Sequence, residues 1–156
     1  MMKTLILYAT KNGAARVIAE RMAKQIDGAV IHDLKQEKIP NLKDFDRIII
    51  GSSVYAGLIR KEAKTFISHH KAMLKEKTYG LFISGLEASG ENTYFESNFP
   101  ADILAAAKVK MFLGGIFDPA KAGAVGRFIM KAVAKKVEYM DSIDEEKIAK
   151  FVVAMK

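Results

Sequence analysis

Three stretches of this chain carry the side chains and backbone that ligand chemistry needs, and each follows a β-rich run. The first is Ala9-Thr10-Lys11-Asn12-Gly13-Ala14, which passes straight into a helical pattern. A hydroxyl, an amide side chain, a glycine and the free N–H groups of a helix start are what a phosphate dianion requires. The plainer alternative is a strand–helix turn in which Asn12 serves only as a cap. No Gly-Lys-Ser/Thr follows, which excludes a P-loop nucleotidase, and the glycine–x–glycine–x–x–glycine spacing of a dinucleotide site is missing. Gly51-Ser52-Ser53 stands where a phosphorylatable receiver would carry an aspartate. A tyrosine phosphatase of similar topology would need a cysteine in the first loop, and the chain has none.

The second stretch is Ser52-Ser53-Val54-Tyr55-Ala56-Gly57. Its hydroxyls, small residues and flexible glycine suit close approach to a flat ring, with backbone groups meeting ring heteroatoms. Tyr55 reads equally well as a boundary residue that packs its ring and wets its hydroxyl. The third stretch, Gly85 to Phe99, reads as a long polar loop holding Glu87, Ser89, Gly90, Glu91, Asn92 and Tyr94. Loops of that length inside compact domains are usually functional or mobile. Glu87 and Glu91, as lone loop acids, read as solvated. His32, His69 and His70 form no cluster and read as structural or surface histidines. No side chain stands out as catalytic and no metal site is expected. The absence of cysteine excludes disulfides, iron–sulfur clusters and thiolate zinc, so any redox chemistry needs an organic cofactor or a non-thiolate metal.

The elements that must position these stretches alternate along the chain. Lys3–Tyr8 reads as a strand rather than a signal peptide. Ala14–Ile26 reads as an amphipathic helix with Ala15, Ile18, Ala19, Met22 and Ile26 on one stripe, ended by Gly28. Ala29–Leu34 is a second strand. Arg47–Gly51, with three consecutive isoleucines, is a central strand covered on both faces. A helix over Arg60–Lys75, a strand over Tyr79–Ile83, a short helix after Pro100, an edge strand over Val109–Leu113 and a final helix opened by Asp144-Glu145-Glu146 complete the order. Alternation of this kind predicts a three-layer α/β sandwich around a parallel sheet, with ligands at the carboxyl ends of its strands. At 156 residues, 50% hydrophobic and 28% charged, the chain fits one globular domain over 1–156. Its longest uncharged stretch, Ile48–Ile59, is too short to span a bilayer.

Net charge is +7. Between Lys108 and Lys136 seven basic residues face Asp118 alone. Ordinary lysine-rich solubility, an anionic ligand, an acidic partner and an anionic membrane all remain open. Within that segment a helix is expected over Val125–Val137. Val125, Phe128, Ile129, Ala132, Val133 and Val137 form its apolar stripe, and Arg127, Lys131 and Lys135 its basic one. The first expectation is a helix packed on the sheet; the same pattern also suits a membrane-surface contact. The basic stretches lack interleaved aromatic residues, which argues against nucleic acid.

Leu7-Tyr8-Ala9-Thr10-Lys11-Asn12-Gly13 with its following helix resembles the FMN phosphate loop of flavodoxins, and Leu42–Ser53 resembles the approach to their second flavin loop. Gly51–Ile67, Gly114-Gly115 and Gly126–Lys131 resemble the flavodoxin-like menaquinone-dependent protoporphyrinogen dehydrogenases. The resemblance implies a five-stranded sheet of order 2-1-3-4-5 and FMN with its phosphate on Thr10, Lys11, Asn12, Gly13, Ala14 and Ala15. It implies the flavin ring between Ser52, Ser53, Val54, Tyr55, Ala56 and Gly57 on one side and Gly85, Leu86 and Glu87 on the other, with Gly57 as the peptide at flavin N5. Two departures stand out: Ala15 lacks a hydroxyl common in the family, and no tryptophan is available to stack on the ring. The implied activity is FMN-dependent electron transfer, with protoporphyrinogen IX as an anionic substrate and a quinone as acceptor, in the cytoplasm or at the inner face of the membrane. The alternative is an electron carrier serving a redox partner protein. Carrier flavodoxins are usually acidic, which the +7 charge does not match.

Overall fold

The computed structural model describes residues 2–36, 38–134 and 138–156. Its elements run β1 (Thr4–Ala9), α1 (Ala14–Ala23), β2 (Val30–Asp33), β3 (Arg47–Tyr55), β4 (Leu58–Ile59), α2 (Lys61–Lys75), β5 (Thr78–Ser84) and α3 (Glu91–Asn98). They continue with α4 (Ala101–Ala106), β6 (Val109–Phe112), β7 (Ile116–Phe117), α5 (Pro119–Ala134), β8 (Met140–Asp141) and α6 (Glu145–Met155). The sheet order is β2-β1-β3-β5-β6, all parallel, which is 2-1-3-4-5 when only the parallel strands are numbered. This is the α/β flavodoxin-type order expected from the sequence. The short β4 folds back antiparallel on the end of β3.

Strand alternation divides the core between two faces. Leu5, Leu7, Ile48, Ile50, Leu81 and Ile83 point toward Phe66 and Ile67 of α2, together with Phe95 and Ile103. Ile6, Tyr8, Ile49 and Phe82 point the other way, onto Ile18 and Met22 of α1 and Phe151 and Met155 of α6. Ile48 and Ile49 are both wholly buried, as a central parallel strand sandwiched by helices requires. Glycine is needed at Gly80, where an added Cβ would lie 2.7 Å from Met155 Sδ and 2.9 Å from the Phe151 ring.

Several sequence expectations need correction. Helix α1 stops at Ala23, and Gly28 (φ 69°) serves the turn into β2 rather than the helix cap. The stretch Gly85–Phe99 is not one loop. It holds a 3₁₀ turn at Ala88–Gly90 and then α3. Ser52 to Tyr55 belong to β3, so the second stretch is a strand end with a two-residue turn, not a free loop. Helix α5 begins at Pro119 and bends at Gly123, whose φ of 68° and ψ of −178° are non-helical. Its expected packing on the sheet fails at Val125 and Phe128, which are 66% and 75% exposed. The side chains of Ile129 and Val133, and residues Lys135 and Val137, lie outside the described set.

Candidate functional site

At the carboxyl ends of β1, β3 and β5 the chain encloses a cavity of about 310 Å³. That volume falls in the ~300–1,000 Å³ range of small-molecule sites. One end is the first loop. Thr10 Oγ1 accepts the Gly13 N–H at 2.9 Å and pulls the loop into a tight turn. Gly13 takes a left-handed conformation (φ 98°) and caps α1 through its backbone alone. Ser53 Oγ accepts the Lys11 N–H at 3.2 Å, which ties the loop to β3. Among the described residues the amides of Asn12, Ala14, Ala15 and Arg16 find no acceptor. Open first-turn amides carry the positive end of the helix dipole and make an anion cradle.

The opposite end is less polar. Tyr55, Ala56, Gly57, Leu86, Tyr94, Ile116 and Phe117 supply its lining there. Ala56 (φ 52°) and Gly57 (φ 80°) both take positive φ, the signature of a type I′ hairpin turn between Tyr55 and Leu58. An alanine there costs about 1–2 kcal/mol, a strain tolerated where the backbone is pinned. The pin is Asn98, 8% exposed, whose Nδ2 donates to Gly57 O at 2.9 Å and Tyr94 O at 2.8 Å. Its Oδ1 accepts the Ile59 N–H at 3.0 Å. Between the two ends the Lys11 ammonium lies 3.1 Å from the centre of the Tyr55 ring.

The glycines after β6 close the back. Gly85 N–H donates to Gly114 O at 3.0 Å, and Ser142 N–H to Gly115 O at 2.8 Å. A Cβ on Gly115 would meet Gly85 O at 2.7 Å, so the two backbones touch as only glycine permits. Gly126, on the exposed helix α5, completes the rim.

Of the residues singled out in the sequence, Lys11, Asn12, Ala14, Ser53, Val54, Tyr55, Ala56, Gly57, Gly85, Leu86 and Glu87 line this cavity together. Four others lie outside its lining. Ala15 is buried in the core against α1's neighbours. Thr10 and Gly13 shape the turn from behind. Ser52 is 1% exposed and uses its hydroxyl to accept Arg60 N–H at 2.9 Å, on the far side of the sheet from Ser53. Tyr94 of the third stretch lines it too, as do Ser84, Gly115, Ile116, Phe117 and Gly126, which the sequence did not assign there. For Ser84 the signal was its place at the end of the fourth parallel strand.

The acids and histidines have local duties. Glu87 accepts the Ser89 N–H at 3.0 Å, and the hydrogen bonds from Ser89 hold its carboxyl below the usual range, so it is ionised and offers no proton at neutral pH. Glu91 accepts the Phe112 N–H at 3.0 Å. His70 stacks on Phe66 and bonds its carbonyl through Nδ1 at 2.9 Å. Among the described residues no group of three or more His, Asp or Glu is placed to hold a metal.

An anion cradle, a mostly apolar slot and a buried Ser84 hydroxyl without a partner among the described residues fit a phosphorylated flavin. Relatives agree with this geometry at the level of fold. Protoporphyrinogen IX dehydrogenase [quinone] of Escherichia coli is 29% identical over 94 residues, covering 56% of this chain and 50% of the dehydrogenase. The chain thus spans about half the length of that relative. Flavodoxin of Helicobacter pylori is 26% identical over all of this chain and 98% of its own. A short-chain flavodoxin associated with a PDU bacterial microcompartment superposes with a TM-score of 0.60 over 99% of this chain and 97% of its own, at 18% identity. A flavoprotein from Lactobacillus acidophilus, solved in complex with FMN, gives 0.54 over 72% and 93%, at 16% identity. The flavodoxin domain model matches residues 5–144, and the chain belongs to that family.

Proposed function

We propose that this chain is an FMN-dependent electron-transfer protein, and that it oxidises protoporphyrinogen IX or a similar anionic porphyrinogen with a quinone as acceptor. The observation that carries the cofactor is the pairing, in one cavity, of the open amides at the start of α1 with the slot between Tyr55 and Tyr94. Lys11, Asn12 and the amides of Ala14 and Ala15 hold the phosphate, with Thr10 and Gly13 shaping the turn. Ser53 to Gly57 and Gly85 to Glu87 flank the ring, and Ser52 supports the first of these walls from behind. When bound, FMN supplies the redox chemistry, and the protein orients it and sets its electrostatic surroundings.

Two features favour a quinone-linked enzyme over a carrier. The partial match to the dehydrogenase is one. The other is α5, whose Gly126 lines the cavity and which carries exposed Val125 and Phe128 beside exposed Arg127 and Lys131. Such a helix suits the surface of an anionic bilayer at the inner face of the membrane, where a quinone is found. No helix among the described residues is long and apolar enough to cross a membrane. The test is turnover of protoporphyrinogen by the FMN-loaded protein with a menaquinone analogue, compared with free FMN.

The second reading is a non-catalytic carrier that docks a redox partner protein. Its support is the end-to-end match with the Helicobacter pylori flavodoxin. No turnover, combined with a one-electron flavin state that persists during anaerobic reduction, would establish it instead.

A further inference from the structure

Ser84 ends β5 at the base of the cavity. It is 1% exposed, and its hydroxyl has no hydrogen-bond partner among the described residues. A buried donor without an acceptor costs the fold, and alanine would fill nearly the same space without that cost. Folding alone therefore favours alanine here.

The neighbours of Ser84 indicate what the hydroxyl serves. In the sheet register Ser84 stands beside Ser53. Both follow, at even spacing, residues that point toward α1, namely Ile49 on β3 and Phe82 on β5. Ser53 Oγ accepts the Lys11 N–H and keeps its own proton free to donate. The first turn of α1, with Ala14 and Ala15, supplies amides but no hydroxyl.

We infer that Ser84 is a phosphate-end binding residue, kept unpaired in the ligand-free chain so that its O–H can donate to a phosphate oxygen of the bound nucleotide. The inference rests on the FMN reading above. A bond from Ser84 to a phosphate oxygen is charge-assisted, and so stronger than a neutral one.

The substitution Ser84→Ala then acts in opposite directions on stability and on binding. Thermal unfolding of the ligand-free protein, with and without inorganic phosphate, gives the first readout; fluorescence titrations with FMN and riboflavin give the second. The expected result is a higher melting temperature without ligand and a smaller rise on adding phosphate. FMN affinity should fall about tenfold or more, while riboflavin affinity stays within about twofold. Unchanged FMN affinity, equal losses for FMN and riboflavin, or a lower melting temperature would each overturn the inference. If the wild-type chain gains stability from phosphate but refuses FMN, the cofactor reading fails and the phosphate readout alone decides Ser84. If it responds to neither, both fail.

Discussion

Lys11 and Tyr55 join the two ends of the cavity: the ammonium of one lies 3.1 Å from the ring centre of the other. The contact is worth about 0.5–1 kcal/mol at an exposed site. It also holds a cation between the anion cradle and the slot, where a ligand with a charged tail and a flat head would span both. Replacing Lys11 with methionine should weaken FMN about fivefold, flatten the salt dependence of its binding and leave riboflavin nearly unaffected. Titrations of both flavins at low and high salt measure this.

Asn98 holds the strained turn at Ala56 and Gly57 through three hydrogen bonds. Truncation to alanine leaves Gly57 O and Ile59 N–H without their partner in a buried setting. The expected loss is about 2–3 kcal/mol in urea unfolding. Asn98→Asp should cost more, because it sets a carboxylate against two carbonyl oxygens.

The Asp102 carboxyl is held at about 2, first by the Lys75 hydrogen bond at 2.5 Å and further by the nearby Lys71. Its value in the folded chain lies below that in the unfolded chain. The stabilisation is therefore present above about pH 4 and lost as pH falls toward 2. The group is exposed, so salt should weaken the effect. Asp102→Asn should flatten the acid limb of the stability profile without changing stability's slope above pH 5, as acid titration of melting temperature would show.

Helix α5 gives a prediction about surfaces. Phe128 is 75% exposed beside Arg127. Sedimentation with vesicles containing phosphatidylglycerol should retain the wild-type protein and release the Phe128→Glu variant. Neutral vesicles should bind neither.

The parallel sheet was legible because its pattern is locally strong: three successive isoleucines in β3 have no other good use. The first loop was legible for the same reason, since Thr10, Asn12 and Gly13 sit at a strand–helix junction. Helix α3 was not, because Glu91–Asn98 is polar nearly all round and buries only Phe95 and Asn98. The back of the cavity was hidden as well. Gly85, Gly115 and Ser142 meet only after the sheet forms, and no local pattern encodes a contact across such separations. Helix α5 misled because its apolar stripe looks like a core face, yet Val125 and Phe128 stay exposed.

Titration of the flavin-free protein with FMN and riboflavin tests the whole account most directly. The account predicts one FMN per chain, a yellow complex with a perturbed flavin spectrum, and riboflavin binding at least tenfold weaker. A protein that leaves the FMN spectrum and fluorescence unchanged, or that binds riboflavin as tightly as FMN, would contradict it.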